Sequence, residues 1–105
     1  MEKKYVLVTG SSRGIGRACA LAFAGAGFHV FINCRESLGQ LREVNEEILA
    51  SGGSCTMLPG DVSDPDRVRA MFRQIASVCD GPDVLVNNAG RAYFGLLSDM
   101  TDDDW

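Results

Sequence analysis

The stretch Thr9-Gly10-Ser11-Ser12-Arg13-Gly14-Ile15-Gly16 decides the fold, because it joins a buried strand to a helix. It follows the apolar run Tyr-Val-Leu-Val at 5–8, which is typical of a strand covered on both faces of a sheet. The spacing and small residues after it predict a helix over about 14–26. Glycines at such a junction permit a tight turn and leave helix N–H groups free to face a phosphate. This placement favours a dinucleotide pyrophosphate site at the carboxyl edge of the sheet over a plain strand–helix turn.

The rest of the chain alternates short apolar runs with longer helical patterns. Further strands are predicted at 30–32, 55–58 and 84–86, and further helices over 37–50 and after the N-cap Asp64, with Pro65 at the first helical position. The order β-α-β-α-β-α-β predicts an α/β fold with a parallel sheet of about four strands and helices on both faces. We expect residues 1–105 to lie within one domain, because this length is enough for one compact domain and too short for two. Thr101 is typical of a helix N-cap four residues before the last residue, so we expect a truncated domain.

Composition excludes several classes of function. The chain is 46% hydrophobic and 23% charged, with a net charge of −4, which is an ordinary globular balance and disfavours nucleic acid or an anionic membrane as partner. No apolar run approaches the roughly 20 residues needed to span a bilayer. The N-terminus carries no signal peptide, so we expect a cytoplasmic protein.

Cysteine and acidic residues give no metal site. The four cysteines, Cys19, Cys34, Cys55 and Cys79, form no Cys-x-x-Cys pair and are expected to be free thiols. A single histidine, His29, cannot complete a zinc set and is expected at the surface. The aspartates at 99–104 are interpreted as a solvated helix start. Tyr93 and Phe94 are either pocket walls or core.

Two further motifs follow predicted strands: Asp61-Val62 after the third, and Asn87-Asn88-Ala89-Gly90 after the fourth. Together with the glycine motif, in this order, they resemble the nucleotide signature of classical short-chain dehydrogenases/reductases. The resemblance covers the whole chain and about the first two-fifths of a typical family member. The sequence resembles in particular the 3-oxoacyl-[acyl-carrier-protein] reductases of that family. It implies a partial Rossmann fold with strand order 3-2-1-4.

The resemblance also implies three groups of cofactor contacts. Those around the pyrophosphate would be Gly10, Ser12, Gly14, Ile15 and Gly16. The Asp61 carboxylate would bind the adenine amino group, with the Val62 backbone beside it; the alternative is a turn aspartate that prepares the helix at Asp64. Those around the nicotinamide ribose would be Asn88, Ala89 and Gly90, while Asn87 would tie the fourth strand to its neighbours.

The end of the second strand favours NADP over NAD as cofactor. NAD enzymes place an acid there to bind the ribose 2′-hydroxyl. That position falls on Cys34, followed by Arg35, and Arg13 lies in the glycine motif nearby. Two guanidinium groups without an acid favour a 2′-phosphate through charge and forked hydrogen bonds. The alternatives are two solvated arginines, or Glu36 as an acceptor for the ribose.

No catalytic residue is predicted in this chain. Family members use a serine, an asparagine and a tyrosine with a lysine four residues later, which lowers the tyrosine pKa. The tyrosines here, Tyr5 and Tyr93, are followed four residues on by Thr9 and Leu97. We therefore expect the NADP(H)-binding portion of a carbonyl reductase, inactive by itself. The alternatives are a binding module without turnover and a product that only self-associates. Because the fourth strand would expose a hydrophobic edge, we expect a homo-oligomer.

Overall fold

The computed structural model describes residues 3–88. The strands are β1 (Tyr5–Val8), β2 (His29–Ile32), β3 (Ser54–Met57) and β4 (Val84–Val86), and the helices are α1 (Gly14–Gly25), α2 (Leu38–Ala50) and α3 (Pro65–Ala76). The alternation therefore matches the predicted one, with element boundaries that differ by one residue at several ends. Ala89, Gly90, Tyr93, Phe94 and the predicted helix start at Thr101 lie outside the described residues.

The four strands form one parallel sheet in the order β3-β2-β1-β4. Tyr5 pairs with His29 at the start of β1 and β2, and Val8 pairs with Ile32 at their ends. On the other side of β1, Val8 is also in register with Val86. Since β1 and β2 end level in the centre of the sheet, the loops that follow them meet at one carboxyl edge, where ligands bind in open parallel sheets.

Helices cover both faces of the sheet, as predicted. Alternate strand residues point to opposite sides, so Val6, Val8 and Val30 face one core, and Leu7 and Phe31 face the other. The first core is completed by α1 and α2, through Ala20, Ala24, Leu41, Val44 and Ile48. The second is completed by α3, through Met71 and Ile75. Small residues on α1 let this helix lie close to the strands, which brings its first turn to the sheet edge.

His29 is half-buried rather than a fully exposed surface residue. It begins β2, and its ring stacks edge-on against Phe31 with centroids 5.0 Å apart. Its Nε2 lies 2.8 Å from Thr56 Oγ1, and its Nδ1 contacts Ser54 Oγ. Burial and the positive charge of Lys3 lower the pKa of this histidine.

Within residues 3–88, no helix is long and apolar enough to cross a bilayer.

Candidate functional site

A pocket of about 720 Å³ opens at the carboxyl edge of the sheet, where the loops after β1, β2 and β3 converge. This volume lies within the range of small-molecule and cofactor sites. Its lining comes from all four strand ends: Gly10, Ser12, Arg13, Gly14, Ile15, Asn33, Cys34, Arg35, Glu36, Ser37, Gly60, Asp61, Val62, Ser63 and Asn88.

The glycine loop, defined as residues 9–16, presents an uncapped helix end to this pocket. Gly10 and Gly14 both have φ of 59°, a left-handed conformation that favours glycine. Arg13 is the N-cap of α1, but its side chain makes no capping hydrogen bond, and the first turn has no acidic residue. By contrast, the Asp64 carboxylate accepts hydrogen bonds from Asp66 and Arg67 N–H at the start of α3. The first N–H groups of α1 are thus left for an anion in the pocket.

Gly16 sets how closely α1 approaches the strand end. A Cβ placed there would lie 2.1 Å from the carbonyl oxygen of Gly10 and 2.8 Å from Asn88 Nδ2. A Cβ at Gly14 would meet nothing within 4 Å. The two glycines therefore act differently: Gly14 is required by its backbone angle beside the pocket, and Gly16 by close packing of helix on loop.

Thr9 ties the glycine loop to the end of β4. Its hydroxyl lies 3.1 Å from Asn87 Oδ1 and accepts a hydrogen bond of 2.9 Å from the Asn88 backbone N–H. Asn88 Nδ2 in turn donates to the Gly10 carbonyl at 3.3 Å. Asn87 thus joins neighbouring strand ends, while Asn88 reaches the pocket wall.

Arg35 and Asp61 meet across the pocket. Arg35 Nε lies 3.4 Å from Asp61 Oδ2 and 3.8 Å from Glu36 Oε1, and the arginine side chain is 71% exposed. The other Asp61 oxygen, Oδ1, accepts hydrogen bonds from the Ser63 N–H at 2.9 Å and from its hydroxyl at 2.7 Å. Asp61 therefore has the geometry of a turn aspartate and also lines the pocket, and its contact with an adenine stays a prediction.

The position after β2 where an acid would accept a ribose hydroxyl is occupied by a neutral thiol. Cys34 is 3% exposed, and burial raises its pKa even though a hydrogen bond with the Ser37 backbone lowers it. Arg13 also lines the pocket, is exposed, and makes no ion pair within residues 3–88. The electrostatics at this end of the pocket are therefore set by Arg13, Arg35 and two carboxylates.

Nearly all the predicted site residues within residues 3–88 line this one pocket. The pocket-lining ones are Gly10, Ser12, Arg13, Gly14, Ile15, Cys34, Arg35, Asp61, Val62 and Asn88. Gly16 stands behind the lining, against Gly10. Sequence reasoning missed Asn33, Ser37, Gly60 and Ser63; a polar residue directly after a buried strand, as at Asn33, was the signal available.

A parallel 3-2-1-4 sheet with a glycine loop leading into an uncapped helix defines a dinucleotide-binding α/β unit. Comparison of the sequence with known protein families identifies the family of this unit. Residues 4–105 match the family described as short chain dehydrogenase. The chain belongs to this family.

Sequence relatives include 3-oxoacyl-[acyl-carrier-protein] reductases. The chain is 42% identical over 102 residues to the enzyme FabG of Staphylococcus aureus, covering 97% of the chain and 42% of the relative. It is 40% identical over 105 residues to the 3-oxoacyl-[acyl-carrier-protein] reductase of Synechocystis sp., covering all of the chain and 42% of that protein. The chain thus spans about two-fifths of the length of these relatives.

Solved structures show the same similarity. YwfH, an NADPH-dependent reductase involved in bacilysin biosynthesis, superposes with a TM-score of 0.79 at 35% identity, over 98% of this chain and 41% of that one. A metagenomic short-chain oxidoreductase in complex with NADP gives a TM-score of 0.78 at 37% identity, over 97% of this chain and 46% of that one. The fold and the family agree with those predicted from the three motifs.

Proposed function

We propose that residues 1–105 form the NADP(H)-binding portion of a short-chain oxidoreductase that reduces a carbonyl group, with a 3-oxoacyl thioester as candidate substrate. The pocket at the sheet edge carries this proposal, because it combines a glycine loop, an uncapped helix end and two arginines with no acid at the Cys34 position. Relatives named as 3-oxoacyl-[acyl-carrier-protein] reductases, and similar structures holding NADP or NADPH, support the same assignment.

The residues present fit a dinucleotide. The free N–H groups at the start of α1 suit the pyrophosphate, and the space beside Gly14, where a Cβ would meet nothing within 4 Å, leaves room for it. Asp61 and Val62 would hold the adenine, and Arg13 and Arg35 the 2′-phosphate. Asn88, together with Ala89 and Gly90, would hold the nicotinamide ribose. When bound, the cofactor supplies a hydride, which is the chemistry that no side chain provides.

Proton transfer to the carbonyl oxygen is not assigned to this chain. A proton donor near neutral pH requires a tuned group such as a tyrosine beside a lysine, and neither Tyr5 nor Tyr93 has a lysine four residues on. We therefore expect cofactor binding without turnover. Purified chain with NADPH and a 3-oxoacyl thioester should give background oxidation only. Turnover that persists after contaminating host reductases are removed would contradict this.

Calorimetry with NADP and NAD tests the cofactor proposal. The unmodified chain should bind NADP more tightly, and Arg35→Ala should remove about 1–3 kcal/mol of that preference, the size of a charge-assisted hydrogen bond. Arg17→Ala is the matched control, because it removes the same charge from an arginine that pairs with Glu47 at 2.5 Å outside the pocket lining. Equal affinity for both cofactors in the unmodified chain would overturn the proposal. Weakened NAD binding in Glu36→Gln would instead favour Glu36 as a ribose acceptor.

Self-association remains part of the proposal. Within residues 3–88, β4 pairs with β1 on one side only, and its three apolar residues Val84–Val86 are half-buried. An unpaired hydrophobic edge of this kind favours strand pairing between copies. Sedimentation over a range of concentrations should show mass rising above the monomer. A monomer at every concentration would argue against pairing through β4. We also propose a cytoplasmic location, the one expected from the sequence.

A further inference from the structure

Asn33 lies directly after β2 and is 1% exposed. Its side-chain Oδ1 accepts a hydrogen bond of 3.3 Å from the Gly10 N–H, in the glycine loop. Its Nδ2 donates to the carbonyl oxygens of Leu58 at 2.9 Å and Gly60 at 3.0 Å, in the segment after β3. Both donors and the acceptor of the amide are thus used, and they reach two different loops.

The backbone of Asn33 strengthens the link on the glycine-loop side. Its carbonyl oxygen accepts from the Ser11 N–H at 2.8 Å and from the Ser11 hydroxyl at 3.2 Å. Its N–H lies 2.8 Å from Ser11 Oγ. Ser11 is fully buried, so these bonds are shielded from water and hold one geometry.

We propose that Asn33 is a positioning residue of the nucleotide site. It fixes the glycine loop and the β3–α3 loop (residues 58–64) as one rigid cradle. A ligand held by the β3–α3 loop then alters the environment of the Gly10 and Ser11 amides, although its only contact with the glycine loop is at the Arg13 side chain. This inference rests on the proposed function, since it assumes an adenosine phosphate beside Asp61 and Arg35.

Two hydrogen bonds of the Asn33 side chain would transmit the effect of a ligand from one loop to the other. Asp61 follows Gly60, whose carbonyl oxygen receives an Asn33 hydrogen bond, so a shift of Asp61 on binding pulls on that bond. The oxygen of the same amide group accepts a hydrogen bond from the Gly10 N–H, in the glycine loop. A planar amide cannot move one end without the other, which passes the displacement from one loop to the other.

Adenosine 2′-monophosphate is a suitable probe, because it carries the adenine and the 2′-phosphate but no pyrophosphate. In nuclear magnetic resonance titrations of the whole 105-residue chain, it should shift the Gly10 and Ser11 amide resonances as well as that of Ser63. Inorganic pyrophosphate should act reciprocally, shifting Ser63 from the glycine-loop side, since coupling between sites is mutual.

Asn33→Asp separates positioning from mere folding. The variant keeps an acceptor for the Gly10 N–H but sets an oxygen against the carbonyls of Leu58 and Gly60, so it breaks only the link to the β3–α3 loop. The nucleotide should still bind to this variant and shift Ser63, while the Gly10 and Ser11 shifts disappear. Affinity for NADP should fall at least roughly tenfold more than affinity for the 2′-monophosphate, because two hydrogen bonds between the loops are lost and the new carboxylate also repels the pyrophosphate.

His29→Ala is the matched control. His29 starts the same strand and also contacts β3 through its side chain, at Ser54 and Thr56, but at the opposite end from the pocket. This variant should lower stability while leaving the transmitted shifts and the ratio of the two affinities unchanged.

The outcomes separate the two proposals. Failure of the unmodified chain to bind either nucleotide overturns the proposed function, and this inference with it. Binding that shifts Ser63 but neither Gly10 nor Ser11 overturns the inference alone, and this measurement needs no variant. Transmitted shifts that persist in Asn33→Asp, or that vanish equally in His29→Ala, also overturn it.

Discussion

Gly16→Ala should destabilise the chain, because the added methyl group has no room. Its Cβ would sit 2.1 Å from the Gly10 carbonyl oxygen, whereas ordinary contact begins at 3.4 Å, so α1 and the loop must separate by about 1.3 Å. Backbone atoms cannot rotate aside as a flexible side chain can. Overpacking of this kind costs about 2–3 kcal/mol. In a domain of this size, that corresponds to a fall in melting temperature of roughly 8–20 °C.

Urea unfolding followed by circular dichroism measures this loss, with Gly25→Ala as control. Gly25 ends the same helix, and a Cβ there meets nothing within 4 Å. That variant should be neutral or gain up to about 1 kcal/mol from the better helix propensity of alanine. If both variants unfold with the same free energy, the close approach of α1 to Gly10 does not constrain the fold, and the argument for Gly16 fails.

Three further predictions follow from caps, burial and charge. Asp64→Ala should lower the free energy of unfolding by about 1 kcal/mol, because it removes the side-chain cap of α3. Ser37→Ala should lower it little, since the Ser37 side chain makes no capping hydrogen bond to α2. Denaturant titration of both variants compares these two losses. Burial and the charge of Lys3 lower the pKa of His29, so the unfolded chain binds the proton more tightly than the folded chain does. The free energy of unfolding should therefore fall as the pH drops through about 6.5. Melting curves taken across the pH range should show a smaller fall for His29→Gln. Burial raises the pKa of Cys55 to about 12, so peptide-resolved iodoacetamide labelling at neutral pH should modify it only after denaturant is added; rapid labelling of the native chain would contradict its burial.

The sequence sufficed for the order of elements and the position of the pocket, because both depend on local patterns. A run such as Tyr5–Val8 followed by glycines specifies a strand, a turn and a helix without reference to the rest of the chain. The side-chain contacts of His29 could not be predicted from the sequence, because its neighbours are set by strand register. Only the parallel pairing of β2 with β3 brings Ser54 and Thr56 to its two ring nitrogens. The role of Asn33 was not predicted for the same reason, since its hydrogen-bond partners lie in segments 22 to 27 residues away.

The charge around Arg35 in the pocket depends on distances that the sequence does not contain. Counted along the chain, Arg13 and Arg35 stand without an acid at the end of β2, which favours a 2′-phosphate. In space, Arg35 already has two carboxylates within 4 Å, from Asp61 and Glu36, although exposed pairs of this kind stabilise weakly. A dianionic phosphate would compete for the guanidinium more effectively than either carboxylate, and its arrival would take Arg35 away from Asp61 Oδ2, while Oδ1 stays bonded to Ser63. The ion pair keeps Arg35 beside the pocket before binding, and the proposed preference for NADP should arise from exchange of partners at Arg35 as well as from Arg13, which makes no ion pair within residues 3–88.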